Sequence, residues 1–224
     1  MAVCTQGQLD PDAMPVRPAQ SAQSGSPDWK QTLPVIQSNG ITLRELRPSD
    51  APAMLALMTK EDVARFISSP PASAEGFERF IAWAMGEREA GRCLSFAVVP
   101  EGNDSAVGLF QVRQVEGGFG TAEWGFAIGS AFWGTGLFVK GAQLIMDFAF
   151  GVLGTHRLEA RAAVLNGRGN GALKKVGAVR EGILRKSFAR DGKHLDQALW
   201  SIISEDYRSK AVWGAKGVSG SRIG

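Results

Sequence analysis

The sequence predicts a mixed α/β fold, a mostly antiparallel sheet of about seven strands with helices on its faces, on three observations. Three apolar runs, Cys93 to Val99, Ala106 to Val115 and Thr121 to Ile128, are separated by the turn-rich stretches PEGND and EGGFG, the pattern of an antiparallel meander. The period then changes. After FWGTG (Phe132 to Gly136), Leu144, Ile145, Phe148, Ala149 and Val152 recur at helical spacing, and Arg157 to Val164 follows as a buried strand, which makes a strand, glycine turn, helix, strand unit. Third, a shorter helix near Gly169 to Val176 ends at Gly177, and two closing strands, Val179 to Ala189 and Leu195 to Ile203, flank the turn RDGK.

Ahead of the meander, Ile41 to Arg47 reads as a strand, and RPSD (Arg47 to Asp50) offers Ser49 or Asp50 as a cap before Met54, Leu55, Leu57 and Met58. The next helix is bracketed at both ends. Ser73 is its expected N-cap, Phe77, Phe80, Ile81, Ala84 and Met85 form one apolar stripe, and Gly91 is placed as the residue just past its end. Residues 1–37 are rich in Pro, Gln and Ser and have no apolar period, so they read as a disordered extension. Residues 209–224, with four glycines among Ser, Lys and Arg, read as a flexible basic tail, leaving 38–208 as one domain.

Composition excludes several classes. With 44% hydrophobic and 21% charged residues in 224, the chain is neither fibrous nor wholly disordered. No apolar run reaches the roughly 18 residues of a membrane helix, and the first thirty residues lack a secretory signal pattern. Two cysteines, Cys4 and Cys93, supply neither a disulfide framework nor a Cys-rich zinc site, so a cytoplasmic protein without a metal is expected. The net charge of +3 comes from the C-terminal tail, yet residues 157–193 hold ten Lys and Arg against Glu159, Glu181 and Asp191. That excess fits either a polyanionic ligand or a solvated basic helix and hairpin.

A glycine-bracketed turn that opens a helix leaves the first amides unpaired beside the positive end of the helix dipole, a ready phosphate site. WGTGLF is placed for that role. It is not GxxxxGK, which excludes a nucleoside-triphosphate loop, nor GxGxxG after a first Rossmann strand.

The order of elements, FWGTG after a strand ending GFAIG, the strand HRLEARAAV, the segment NGRGNGALKKVGAV and the closing EGILRKSFARDGKHLDQALWSIISEDY together resemble the GNAT acyl-CoA-dependent N-acetyltransferases. The likeness is greatest to the RimJ/RimL-like branch, and it covers roughly residues 41–207, including ITLRELRPSD. It implies a splayed central strand pair, with the pantetheine arm of acetyl-CoA between Thr121 to Ile128 and Arg157 to Val164, bonded to the backbone of Phe126, Ala127 and Ile128. It implies pyrophosphate binding by Gly134, Thr135, Gly136 and Leu137 beside Trp133, and cofactor contacts from Asn166. Arg168, Lys174 and Lys175 are then the cations for the remaining phosphate.

Three positions depart from the family pattern. Thr135 stands where Arg or Lys is usual, Phe138 where a small residue is usual, and Gly169 where the family has Ser. A binding module that senses acyl-CoA without turnover is the alternative these departures raise.

The reaction needs a route for the amine proton and donors near the thioester carbonyl. Strand alternation puts Glu123, Gly125 and Ala127 on one face, which makes Glu123 the general-base candidate, directly or through a water; its other reading is a charge on the solvent face of the sheet. The one tyrosine, Tyr207, lies beyond the last strand, so a tyrosine acid on the helix after Val164 is excluded, and Ser187, Asn170 or water remain. His156 reads as structural, and His194 lies in the closing hairpin. The expected acceptor is a peptide N-terminus or a small-molecule amine, walled by the helices between residues 50 and 90, where Glu61, Asp62, Glu87 and Glu89 would suit a cation. A homodimer is compatible with the sequence, no membrane partner is expected, and a nucleic-acid partner, favoured only by the basic tail, is not expected either.

Overall fold

The computed structural model describes residues 28–208. The extension and tail expected from composition lie, for residues 1–27 and 209–224, outside the described residues. The domain begins earlier than position 38. Leu33 is 3% exposed, Trp29 packs edge-on against Phe119, and strand β1 (Ile36–Ser38) pairs with β2 (Ile41–Glu45). A few apolar residues in a polar stretch are enough to bring residues 28–37 onto the sheet.

Two short helices, α1 (Ala51–Met58) and α2 (Glu61–Ala64), precede the longer α3 (Ala74–Glu89). The meander is β3 (Cys93–Pro100), β4 (Gly108–Glu116) and β5 (Gly118–Ile128). Then come α4 (Leu137–Gly151), β6 (Arg157–Ala163), α5 (Gly167–Lys175), β7 (Val179–Arg190) and β8 (Lys193–Ile203). The eight strands lie in the order β1-β2-β3-β4-β5-β6-β8-β7, one more than the seven expected, because a three-residue strand is too short to show alternation.

Every neighbouring pair is antiparallel except β5 and β6. Their parallel register runs from Thr121↔Arg157 to Glu123↔Glu159, while β5 continues to Ile128 in register with β4. The two central strands therefore diverge above Glu123. Nothing needs to be inserted to make this wedge; it follows from where the ladder stops.

The sheet buries both faces. Alternate residues Phe96, Phe110 and Trp124 meet Ile145, Met146 and Phe148 of α4, whereas Ala97, Val99, Leu109 and Ala127 meet Met54, Met58, Phe77 and Ile81 of α1 and α3. Each fully buried large side chain contributes about 1.5–3 kcal/mol, so the two clusters set the sheet between its helix layers. Gly141 lets α4 approach closely, since a Cβ there would sit 2.5 Å from the Phe110 ring. The helix ends largely follow the sequence signals: Ser73 Oγ accepts from the Gly76 amide at 3.1 Å, and Gly91 and Gly177 turn left-handed after α3 and α5.

Asp50 stands at the N-cap position of α1, as expected, but its side chain makes no capping bond into that helix; its carboxylate, 1% exposed, accepts two hydrogen bonds from Arg44 and one each from the Arg47 and Ala106 amides, the Arg47 bond closing the short turn before α1. Burial pushes this carboxyl up, but the bonds from Arg44, Arg47 and Ala106 outweigh it and hold the group below its ordinary range. No helix among the described residues is long and apolar enough to cross a membrane.

Candidate functional site

Beyond the point where β5 leaves β6, a cleft of about 480 Å³ opens between the end of β5, the α4 turn, α5 and residues 62–67 of the α2 region. Its size is that of a small-molecule or cofactor site. Nine of the eleven residues expected to hold a cofactor line it: Phe126, Ala127, Ile128, Trp133, Gly134, Gly136, Asn166, Arg168 and Lys175. Thr135 and Leu137 belong to the turn without lining the cleft, and Lys174 is exposed and does not line it either.

Local chemistry shapes the turn. Gly134 and Gly136 have φ of 79° and 84°, in the left-handed region that glycine adopts without a Cβ penalty. Gly136 is the N-cap of α4 and provides no side-chain cap, so the helix's first amides and its positive dipole end face outward. Thr135 Oγ1 donates to the Phe132 carbonyl at 2.8 Å and accepts a long, 3.4 Å bond from the Leu137 amide, which steadies the turn from within. Trp133 Nε1 donates to the Ile128 carbonyl at 2.8 Å, tying the turn to the end of β5.

Across the cleft, Asn166 caps α5 by accepting from the Gly169 amide at 2.8 Å, and a Cβ at 169 would lie 2.5 Å from Asn166 Nδ2. The glycine that replaces the family's serine is thus matched to this cap. The Arg168 guanidinium lies over the Trp133 ring at 4.3 Å, closing a contact between the two sides. Phe138 packs on Phe126 with ring centres 4.2 Å apart and on Phe110 and Trp124 beyond it, so its bulk joins the core while its edge lines the cleft.

Glu123 does not line the cleft; it is the last residue of β5 in register with β6, three positions before Phe126, the first β5 residue that does. It is 3% exposed, with Oε2 accepting from Arg113 at 2.6 Å and lying 3.6 Å from Arg161 Nε. The adjoining strands carry the ladder on: Glu159 with Arg157, then Arg157 and Ser201 with Glu181, whose carboxyl Arg157 holds down to about 2. This polar face of the sheet was not expected from sequence beyond Glu123 itself.

Other candidates have structural partners. The Asn170 amide donates to the Ala163 and Asn166 carbonyls and accepts from Trp200, pinning α5 to the end of β6. Ser187 Oγ bonds the Leu184 carbonyl and Gln197. His156 is exposed beside Glu205, and His194 is exposed in the β7–β8 hairpin. Tyr207 packs on Phe150 and bonds Asp147 on the far half of α4; burial first, then Asp147, pushes its hydroxyl up. Of the acidic residues proposed for the acceptor wall, Asp62 lines the cleft, while Glu87 pairs with Arg92 and Glu89 with Arg88. Phe132, the first residue of the FWGTG turn, also lines it, as do Val63, Phe66 and Ile67, which the sequence does not single out because a four-residue helix and the few residues after it are too short to show an apolar stripe.

Comparison with known proteins agrees with this geometry. Residues 41–179 match the family described as an acetyltransferase (GNAT) domain. The Bacillus licheniformis protein p20, described as an uncharacterized N-acetyltransferase, is 21% identical over 176 residues, 78% of this chain and 99% of its own. YjcK of Bacillus subtilis, described as a probable N-acetyltransferase, is 26% identical over 180 residues, 77% of this chain and 98% of its own. Mycobacterium smegmatis RimJ, solved in complex with CoA-disulfide, superposes with a TM-score of 0.66 over 77% of this chain and 89% of that one; at 22% identity this is a likeness of fold.

Proposed function

The chain belongs to the GNAT acetyltransferase family, and from that premise we propose that the acceptor it acetylates is a primary amine, on a peptide N-terminus or a small molecule, met in the wedge between β5 and β6. The chain is an acyl-CoA-dependent acetyltransferase. The observation that carries the reading of its site is the end of the β5–β6 ladder at Glu123, which opens a cleft beside an uncapped helix start.

The residues present fit coenzyme A. A Cβ at Gly134 or Gly136 would meet no protein atom within 4 Å, so the turn has room for a ligand against its backbone. When bound, acetyl-CoA supplies the acetyl group as a thioester with a thiolate leaving group. The amides of Gly134, Thr135, Gly136 and Leu137 would donate to the pyrophosphate, with Trp133 bracing the turn, and Arg168 and Lys175 would neutralise the remaining phosphate. Phe126, Ala127 and Ile128 would align the pantetheine arm along β5, and Asn166 would flank it from α5. Glu123, at the base of the wedge, would take the amine proton through a water that bridges it to the cleft. An α-amino group, with an ordinary pKa of about 7.7 to 8.0, asks less of this base than a lysine at about 10.4.

The test is thiol release from acetyl-CoA across N-terminal peptides and small amines, with acetylated products identified by mass. Release with one class assigns the acceptor. Tight coenzyme A binding without release on any amine supports the sensor instead.

A further inference from the structure

We propose that the acyl site continues behind Ala127 into a second, apolar cavity, so that the protein accepts acyl groups one or two carbons longer than acetyl. This rests on the acyl-transfer reading above and specifies its donor. The second cavity measures about 30 Å³; Leu109 and Ala127 form its floor on the sheet, Met58, Phe77 and Phe80 its helix side, and Ile67 one wall. Ser68 contributes the one hydroxyl side chain to its lining.

Two observations connect this cavity to the cleft. Ile67 and Ala127 line both spaces, so the cavity adjoins the cleft at those two side chains. Strand alternation also turns the Ala127 methyl toward the α1–α3 cluster, while Phe126 packs into the α4 cluster on the other face. An acyl chain carried along β5 therefore has an apolar continuation on the side where a small residue, alanine, occupies the strand. About 10–15 Å³ measured in this way holds one water, so the space takes one or two methylenes, and its lining offers them no charged partner. The wall is held in place: Arg190 of β7 donates to the Ile67 carbonyl at 3.4 Å and to Ser69 Oγ at 2.7 Å.

The transfer itself is that of an acetyl group. The amine nitrogen forms a bond to the thioester carbonyl carbon, the C–S bond breaks with its electron pair leaving on sulfur, and the amine proton passes to the water at Glu123. Only the alkyl end of the acyl group is longer.

Calorimetric titration with coenzyme A, acetyl-CoA, propionyl-CoA and butyryl-CoA reads the cavity without turnover. Propionyl-CoA is expected to bind about fourfold tighter than acetyl-CoA, the equivalent of ~0.8 kcal/mol per buried methylene. Its kcat/KM should stay within about tenfold of that for acetyl-CoA. Leu109→Phe fills the cavity from the floor and should abolish the propionyl advantage in binding. Phe80→Ala, at a half-buried position, widens it and should move the tightest-binding acyl chain to butyryl, its thermal unfolding being followed alongside. Propionyl-CoA that binds no tighter than acetyl-CoA in both wild type and Phe80→Ala overturns the inference while acetyl transfer stands. An intact binding series with no transfer from acetyl-CoA to any amine instead overturns the transfer reading and leaves the cavity assigned.

Discussion

Two corners of the molecule use the same chemistry to opposite ends. Where β2 turns into α1 and α3 begins, the polar groups named above are used by the fold. Both Asp50 oxygens are bonded, to Arg44 and to the Arg47 and Ala106 amides, and Ser73 closes the first turn of α3. At the β5–α4 corner the helix starts at Gly136 without a side-chain cap, and Glu123 has both of its arginine contacts on one oxygen, Oε2. Burial and arginine pairing are therefore common to a structural and a candidate catalytic carboxylate. What separates them is how much bonding capacity the fold has already used, and that Glu123 stands where the β5–β6 ladder ends.

Exchanging each carboxylate for its amide makes that contrast measurable. Glu123→Gln should lower turnover by about 100- to 10,000-fold, most at low pH where the amine is most protonated, with coenzyme A affinity nearly unchanged. Its effect on unfolding should stay within about 1 kcal/mol, because Arg113 is 38% exposed and water can replace the lost charge. Wild-type turnover for Glu123→Gln from about pH 6 to pH 9 removes Glu123 from the mechanism, and the proton then leaves through water alone.

Asp50→Asn should show the reverse, a loss of about 3–5 kcal/mol in denaturant unfolding, since Arg44 is 6% exposed and would be left as a buried cation. The sign with pH follows from the depressed carboxyl. A group held below its unfolded value near 3.8 stabilises the fold above that pH, and the stabilisation is lost as pH falls through the folded value. The wild type should therefore lose stability below about pH 4 with a slope that Asp50→Asn lacks. An unchanged acid transition would mean that the Arg44 pair is not what holds this corner.

The second corner was more legible in the sequence than the first. FWGTG and the period change after it locate the turn and α4, because glycine conformation and helical spacing are local signals. The resemblance named nine residues that do line the cleft. Asp50 takes the position expected of a cap, but its buried pairing is not legible, since one of its partners, the Ala106 amide, lies 56 positions away and no local pattern announces it. The sequence places the wall in the helices between residues 50 and 90 and names Asp62 in it, but its apolar members Val63, Phe66 and Ile67 and the cavity behind Ala127 are invisible for a related reason. They arise from packing between layers, and composition and spacing carry no record of which side chains meet across a sheet.

The two helix starts give smaller, sharper contrasts. Gly136→Val forces a β-branched residue to φ near 84°, a cost of about 1–2 kcal/mol, and should weaken coenzyme A binding by about tenfold or more in calorimetry. The added side chain meets no protein atom within 4 Å at its Cβ, so the effect should come from displaced amides and the ligand rather than from a clash in the fold.

Ser73→Ala should have the smallest effect and complete the comparison. It removes the bond to the Gly76 amide at the start of α3 and should lower unfolding free energy by about 1 kcal/mol. Coenzyme A affinity should not change, because no ligand waits at that helix start: its donor is already satisfied and no residue of 73–76 lines the cleft. Measured side by side, Ser73→Ala should move the thermal midpoint and leave the calorimetric Kd in place, whereas Gly136→Val should move the Kd. A Ser73→Ala protein that also lost coenzyme A affinity would show that the α3 start and the cleft are coupled through Phe77 and the Ile67 wall, and the separation drawn between the two corners would fail.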